Sequence, residues 1–224
     1  MAEQPYDWLK AWDENDIGFH RDNIDPFLSK YIDRLINGRK NIKIFIPLCG
    51  KTVDIKWLWE LGHTVIGVEL ARKALEEFFE EHNISYTVSK LPDGKGEVFT
   101  SEDKRIKLYC CDLFKFNSSC EGLMDAMWDR GSLVAIEEKD RQRYAELMKS
   151  LMGEGCQYLA ETLEYDETKF GGPPRIVSEQ NIKDLFGDKL EITHLERKDI
   201  FTPAFKETWG IDSLFEHLYL FCLK

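Results

Sequence analysis

The residues of this chain that could do chemistry gather around one stretch, Ile42 to Leu70, which reads IKIFIPLCGKTVDIKWLWELGHTVIGVEL. Its last acid, Glu69, comes 19 residues after Gly50, the single glycine of the turn Pro47–Thr52. Strand, turn, helix, strand and acid, in that order, is how doubly wound folds hold the ribose of an adenosine ligand. The acid accepts hydrogen bonds from the cis-diol. Taken alone, Glu69 is equally well explained as a solvated strand-end acid. The turn narrows the choice of nucleotide. Gly50-Lys51-Thr52 suggests a phosphate-binding loop, but that loop needs a glycine five residues earlier, where Phe45 stands. One glycine builds no phosphate cradle, so ATP and GTP are disfavoured. The absence of G-x-G-x-x-G likewise opposes a dinucleotide pyrophosphate.

A glycine-poor turn suits an adenosine ligand without phosphates. S-adenosylmethionine, with an amino-acid end, a ribose and an adenine, is such a ligand. Further polar residues fall at successive strand ends: Asp112-Leu113, and Asp129-Arg130-Gly131. Ligands of open α/β sheets bind at the carboxyl ends of strands, so several such residues together say more than any one. For Asp129-Arg130 the alternative is a local ion pair.

The elements that must position these residues follow from periodicity. Ile42–Ile46 and Thr64–Val68 read as strands around a helix from about Val53 to Leu61, closed by Gly62. Asp25-Pro26 starts a helix whose apolar face runs from Phe27 to Ile36, and Asn37-Gly38 stops it. Ala71–His82 is amphipathic, with Leu75, Phe78 and Phe79 inward. Tyr86–Ser89 and Glu97–Thr100 flank a Pro/Gly turn and predict a surface hairpin. Strands are expected at Ile106–Cys111, Met124–Trp128 and Cys156–Leu163, and helices at Glu137–Met152 and about Glu179–Phe186. Leu190–Leu195 and Leu218–Leu223 end the chain as strands joined by a long loop holding Trp209-Gly210. The alternation predicts an α/β fold, a mostly parallel sheet covered on both faces, with an antiparallel pair at one edge. No repeat, low-complexity tract or linker divides residues 1–224, so one domain is expected. Residues 1–24 read as irregular. Trp8 and Trp12 share a face if that piece is helical, and the residues leave open whether it packs on the body or covers a ligand.

Composition sets bounds. With 224 residues, 43% of them hydrophobic, the chain can fill one core. A net charge of -11 opposes nucleic acid or an anionic membrane as the main partner. The N-terminus lacks a signal-peptide core and no apolar run approaches membrane-spanning length, so a cytoplasmic protein is expected. The six cysteines include no C-x-x-C and read as reduced, buried thiols. The five histidines are scattered without H-E-x-x-H, so a metal site has no support.

The chain resembles the thiopurine S-methyltransferase family almost end to end. The resemblance is carried by Asp7-Trp8 to Trp12, Gly18-Phe19-His20, PLCGK at 47–51, GHTVIGVE at 62–69, LYCCDLF at 108–114, WDRGSLVAI at 128–136, GGPP at 171–174, and WGID with FEHLYL near the end. It implies a Rossmann-like class I methyltransferase fold with a seven-stranded sheet whose last strand is antiparallel. It implies methyl transfer from S-adenosylmethionine to an aromatic or heterocyclic thiol, with no catalytic residue and with the chain a monomer. By motif, the segment Trp8–Phe19, Leu48, Gly50, Glu69, Asp112, Leu113 and Arg130 should line the cofactor site. Phe19 and Arg130 should also face the acceptor, and residues 1–24 should act as a lid. Mammalian members carry an arginine before WGID that helps hold the purine. Here that loop is DIFTPAFKET (199–208), with Lys206 and no arginine. Simple aromatic thiols are therefore expected to be good substrates and thiopurines to show raised KM.

Displacement at a sulfonium needs no nucleophile and base pair, and none is visible; alignment and desolvation suffice for an acidic thiol. Arg130 is expected to favour the anionic acceptor. The alternatives are a methyltransferase for halide, sulfide, selenium or amine acceptors, or a non-catalytic adenosine-binding module. A nicotinamide dehydrogenase is opposed by the missing glycine fingerprint.

Overall fold

A computed structural model describes residues 6–92 and 94–224. The first five residues of the arm and Asp93 of the hairpin turn lie outside them. The arm expected to be irregular contains a short helix, α1 (Trp8–Asp13), capped by the Asp7 side chain on the Lys10 amide. Helix α2 (Pro26–Ile36) starts as predicted. The Asp25 carboxylate accepts from the Phe27 and Leu28 amides, and Asn37 ends the helix at φ 49°. β1 (Lys43–Ile46), α3 (Asp54–Glu60), β2 (Thr64–Glu69) and α4 (Arg72–Glu81) follow in the expected order. Next come β3 (Tyr86–Lys90), β4 (Glu97–Ser101), β5 (Ile106–Cys110), α5 (Ser118–Glu121), β6 (Met124–Asp129) and α6 (Arg141–Leu151). The chain closes with β7 (Met152–Glu164), α7 (Glu179–Phe186), β8 (Leu190–Asp199), α8 (Pro203–Trp209) and β9 (Phe215–Leu223).

The strands form one sheet in the order β3-β4-β5-β2-β1-β6-β7-β9-β8. It has nine strands, not the expected seven. The run from β5 to β8 is the expected arrangement, with β9 inserted antiparallel between β7 and β8. The other two strands are the hairpin. It is at the surface as expected, with β3 an exposed edge strand, but it also joins the sheet, because β4 pairs antiparallel with β5. The reason is physical: β5 would otherwise expose a row of unpaired backbone groups, and joining it buries Phe99 completely.

Alternate residues of the central strands feed two cores. Ile44, Ile46 and Val65 face Leu28, Leu58, Phe78 and Phe79 of α2, α3 and α4. Phe45, Ile66 and Val68 belong to the cluster of Tyr144, Met148, Ile182 and Phe186 on α6 and α7. β1 sits between β2 and β6, where the order of connections reverses. That switch point opens a crevice at the strands' carboxyl ends. Cys49, Cys111 and Cys156 are buried thiols as expected, but Cys120 is exposed. No described helix is long and apolar enough to cross a membrane.

On the antiparallel edge, Glu164 of β7 meets Arg197 of β8 through two hydrogen bonds of 2.9 and 3.1 Å, and His217 of β9 at 2.7 Å. The Arg197 bonds, then His217, hold its carboxyl down at about 2 from an ordinary 4.5. The folded chain thus binds this proton more weakly than the unfolded chain. The stabilisation is present above pH 4.5 and is lost as pH falls toward 2. Melting temperatures followed from pH 5 to pH 2 should therefore fall more steeply for the parent than for Glu164→Gln; identical slopes would mean that this cluster adds nothing.

Candidate active site

Glu69 ends β2 with only 6% of its surface exposed. Its Oε2 accepts from the Gly50 amide at 3.0 Å, and its Oε1 from the Leu70 and Ala71 amides at 2.7 and 2.8 Å. It therefore clamps the turn after β1 to the start of α4. Burial raises its pKa, and the three amides oppose that shift. Two glycines make the clamp possible. Gly50 has φ +49°, and a Cβ there would meet the Trp12 indole at 3.0 Å. A Cβ on Gly67 would lie 2.7 Å from Cys49 Sγ and 2.8 Å from Leu108, so only glycine lets the turn fold back over β2. Lys51 is committed elsewhere, bonded to Glu77 at 2.8 Å and Glu81 at 2.7 Å on α4. The lysine of the phosphate-loop look-alike is thus a structural brace.

β6 ends in Asp129 and Arg130, which do not pair with each other. Asp129 is fully buried and accepts the Tyr144 and Tyr158 hydroxyls at 2.6 and 2.7 Å and the Ser132 and Leu133 amides at 3.2 Å. It shapes the turn, whose Ser132 Oγ donates to the Pro47 carbonyl at 2.6 Å. The two loops at the switch point are thereby tied together. Arg130 reaches the other way, its Nη1 donating to the Phe19 carbonyl at 2.9 Å. Its Nε lies 3.9 Å from Asp25 Oδ2.

These loops and the arm enclose a cavity of about 770 Å³. Its lining includes Trp8, Trp12, Leu48, Gly50 and Glu69, and also Pro173, Pro174, Phe205 and Trp209, together with Phe19 and Arg130. Phe19 packs edge-on against Trp8 and Trp12, with ring centres 5.6 and 5.7 Å away. Lys73 of α4 fastens the arm by donating to the Trp12 carbonyl at 2.8 Å. Trp209 stacks on Phe170 at 4.4 Å, which steadies the far wall.

The structure thus brings Trp8, Trp12, Phe19, Leu48, Gly50, Glu69 and Arg130 together, as the motifs imply. Asp112 and Leu113 follow β5 but are not in the lining: Asp112 caps the next turn on the Phe114 amide, and Leu113 is buried in the core. Lys206 is also outside. The loop expected around it is helix α8, and its ammonium pairs with Asp212 at 2.9 Å, away from the cavity. Arg21, Glu161 and Glu216 line the cavity without having been picked out by sequence reasoning. Glu161 and Glu216 did leave a signal, since each interrupts an apolar strand run.

The sheet order, the switch-point crevice and the acid-clamped turn are those of a class I methyltransferase. Solved structures agree on the fold: a methyltransferase from Anabaena variabilis (TM-score 0.64, 14% identity, 99% of this chain and 98% of that one), and the N-methyltransferase NodS from Bradyrhizobium japonicum (TM-score 0.61, 11% identity, 95% and 97%). The family model for thiopurine S-methyltransferase matches residues 3–224, and the chain belongs to that family. A probable thiopurine S-methyltransferase of Danio rerio is 45% identical over 97% of this chain and 94% of its own. The thiopurine S-methyltransferase of Canis lupus familiaris is 44% identical over 97% and 89%.

Proposed function

We propose that the chain transfers the methyl group of S-adenosylmethionine to the sulfur of aromatic or heterocyclic thiols, thiopurines among them. Family membership over residues 3–224 carries the reading, and a nucleoside site without a phosphate cradle supports it. In this reading the sugar and adenine lie at the Trp12, Leu48, Gly50 and Glu69 end. The methyl group points toward Phe19 and Arg130, with the acceptor against Pro173, Pro174, Phe205 and Trp209. The sulfur attacks the methyl carbon as the bond to the sulfonium breaks, giving a methyl thioether and S-adenosylhomocysteine, and the acceptor's proton passes to solvent. Holding both partners in line within apolar walls lowers the barrier. Arg130 is the fixed cation of this reading, facing the acceptor while held by the arm and near Asp25. With Asp25 and the Phe19 carbonyl on it, its main task is to anchor the arm across the reacting atoms.

Glu69→Ala should weaken S-adenosylhomocysteine binding by about 1.5–3 kcal/mol, the range for a hydrogen bond to a charged group. Unchanged affinity by calorimetry, in a variant that still folds, would remove Glu69 from the ribose. The arm is proposed to close as a lid; amide exchange over residues 6–22 should slow when S-adenosylhomocysteine is added, and equal exchange would leave it as packing. The activity itself is tested by product analysis with S-adenosylmethionine and a set of thiols. A methylthio product is expected from both a thiophenol and a thiopurine, and Lys206→Arg should leave both KM values unchanged because Lys206 faces Asp212. No methylated thiol from the folded protein would overturn the proposal.

A further inference from the structure

The middle of the cavity rests on buried charge that methyl transfer does not require. Glu161 on β7 lies there, facing Asp25 at the start of α2, Glu216 on β9 and Arg130 beyond β6. Asp54 of α3 and Arg21 of the arm complete the group. All but one of its fully buried side-chain polar atoms have a partner. Asp54 accepts the Asp25 amide and the Trp128 indole N–H, each at 2.9 Å. Asp25 accepts the Phe27 and Leu28 amides and Arg21 Nη1. Arg21 Nη2 donates to Glu216.

Glu161 is the exception. It is 5% exposed and shares one hydrogen bond with Asp25, while its Oε1 has no partner. Three other residues, His63, His82 and Arg141, also hold a buried polar side-chain atom without a partner among the described residues, but Glu161 alone of the four lines the cavity. A buried acceptor left unmade is costly, so the site is built for a donor that arrives with a ligand. Burial, with the facing charges of Asp25 and Glu216, pushes the Glu161 carboxyl well above the usual range. A hydrogen bond between the two acids takes one proton shared within the Glu161–Asp25 pair, and Glu161 Oε1, outside it, is left without a partner.

We propose that Glu161 is a specificity-determining residue: its unpartnered oxygen accepts the ring N–H of a nitrogen-heterocyclic thione and selects such acceptors over carbocyclic thiols. This rests on the S-methyltransferase reading above. A thiophenol has no ring N–H and leaves the oxygen unmade, whereas a thiopurine fills it.

The experiment compares kcat/KM for a thiopurine and for a thiophenol in the parent, Glu161→Gln and Glu161→Leu, with Glu161→Ala as the smaller replacement if leucine does not fold. Glutamine keeps a donor for Asp25 and a carbonyl for the ligand; leucine and alanine keep neither. The thiopurine-to-thiophenol ratio should fall about tenfold in Glu161→Leu or Glu161→Ala, chiefly through the thiopurine KM, and return to near the parent value in Glu161→Gln. A ratio that stays constant across the variants, or that shifts as far in Glu161→Gln, would overturn the assignment while leaving the activity standing. A parent that methylates neither thiol would overturn the activity and the assignment together.

Discussion

The site depends on one carboxylate. Glu69 gathers three backbone amides from two segments, the turn after β1 and the two residues that lead into α4. Without it those segments would have to satisfy buried N–H groups in some other way, and each unmade bond costs about 1–3 kcal/mol. The rest of this end follows from the clamp. Gly67 has no side chain because the turn lies directly on β2, and Gly50 has none because Trp12 lies directly on the turn. Lys51 then fixes the same turn to α4 from the other side. These contacts fix the turn, β2 and the start of the arm against one another at this part of the cavity lining.

The part of the lining around Pro173, Pro174, Phe205 and Trp209 is organised differently. Its walls are rings and prolines, and its floor is a buried network in which Arg21 and Arg130 are matched by Asp25 and Glu216. Matched cations give a thiolate little net attraction. Positioning and exclusion of water are therefore the larger contributions, which suits a reaction whose leaving group departs without help. Arg130 ties the turn after β6 to the arm through its bond to the Phe19 carbonyl.

Much of this was legible in the sequence where local chemistry decides structure. Asp25-Pro26 predicted a capped helix start, and the cap is present. The β1–turn–α3–β2–Glu69 unit was readable from alternation, one glycine and one acid. The short helices α1 and α8 were not, since six or seven residues without strong periodicity carry too little signal. The hairpin's place in the sheet depends on a long-range partner, β5, that no local pattern names. Asp112 reads as a ligand residue because it follows a strand, and no local pattern shows that its side chain also caps the next turn. Lys206 looked like a weakened cation of the acceptor site, and only the fold of α8 turns it toward Asp212. Asp129 looked like a partner for Arg130, and only the packing of α6 and β7 brings Tyr144 and Tyr158 onto it.

One cavity holding nucleoside and acceptor at opposite ends, with Arg130 between them, is the claim on which the proposed chemistry stands. A crystal structure of the ternary complex with S-adenosylhomocysteine and a thiopurine tests it most directly. The ribose hydroxyls should lie within hydrogen-bonding distance of Glu69, and the thiopurine sulfur should face the cofactor sulfur beneath Phe19 and Arg130. A nucleoside bound away from the turn after β1, or a thiopurine seated outside the wall of Pro173, Pro174 and Phe205, would contradict it.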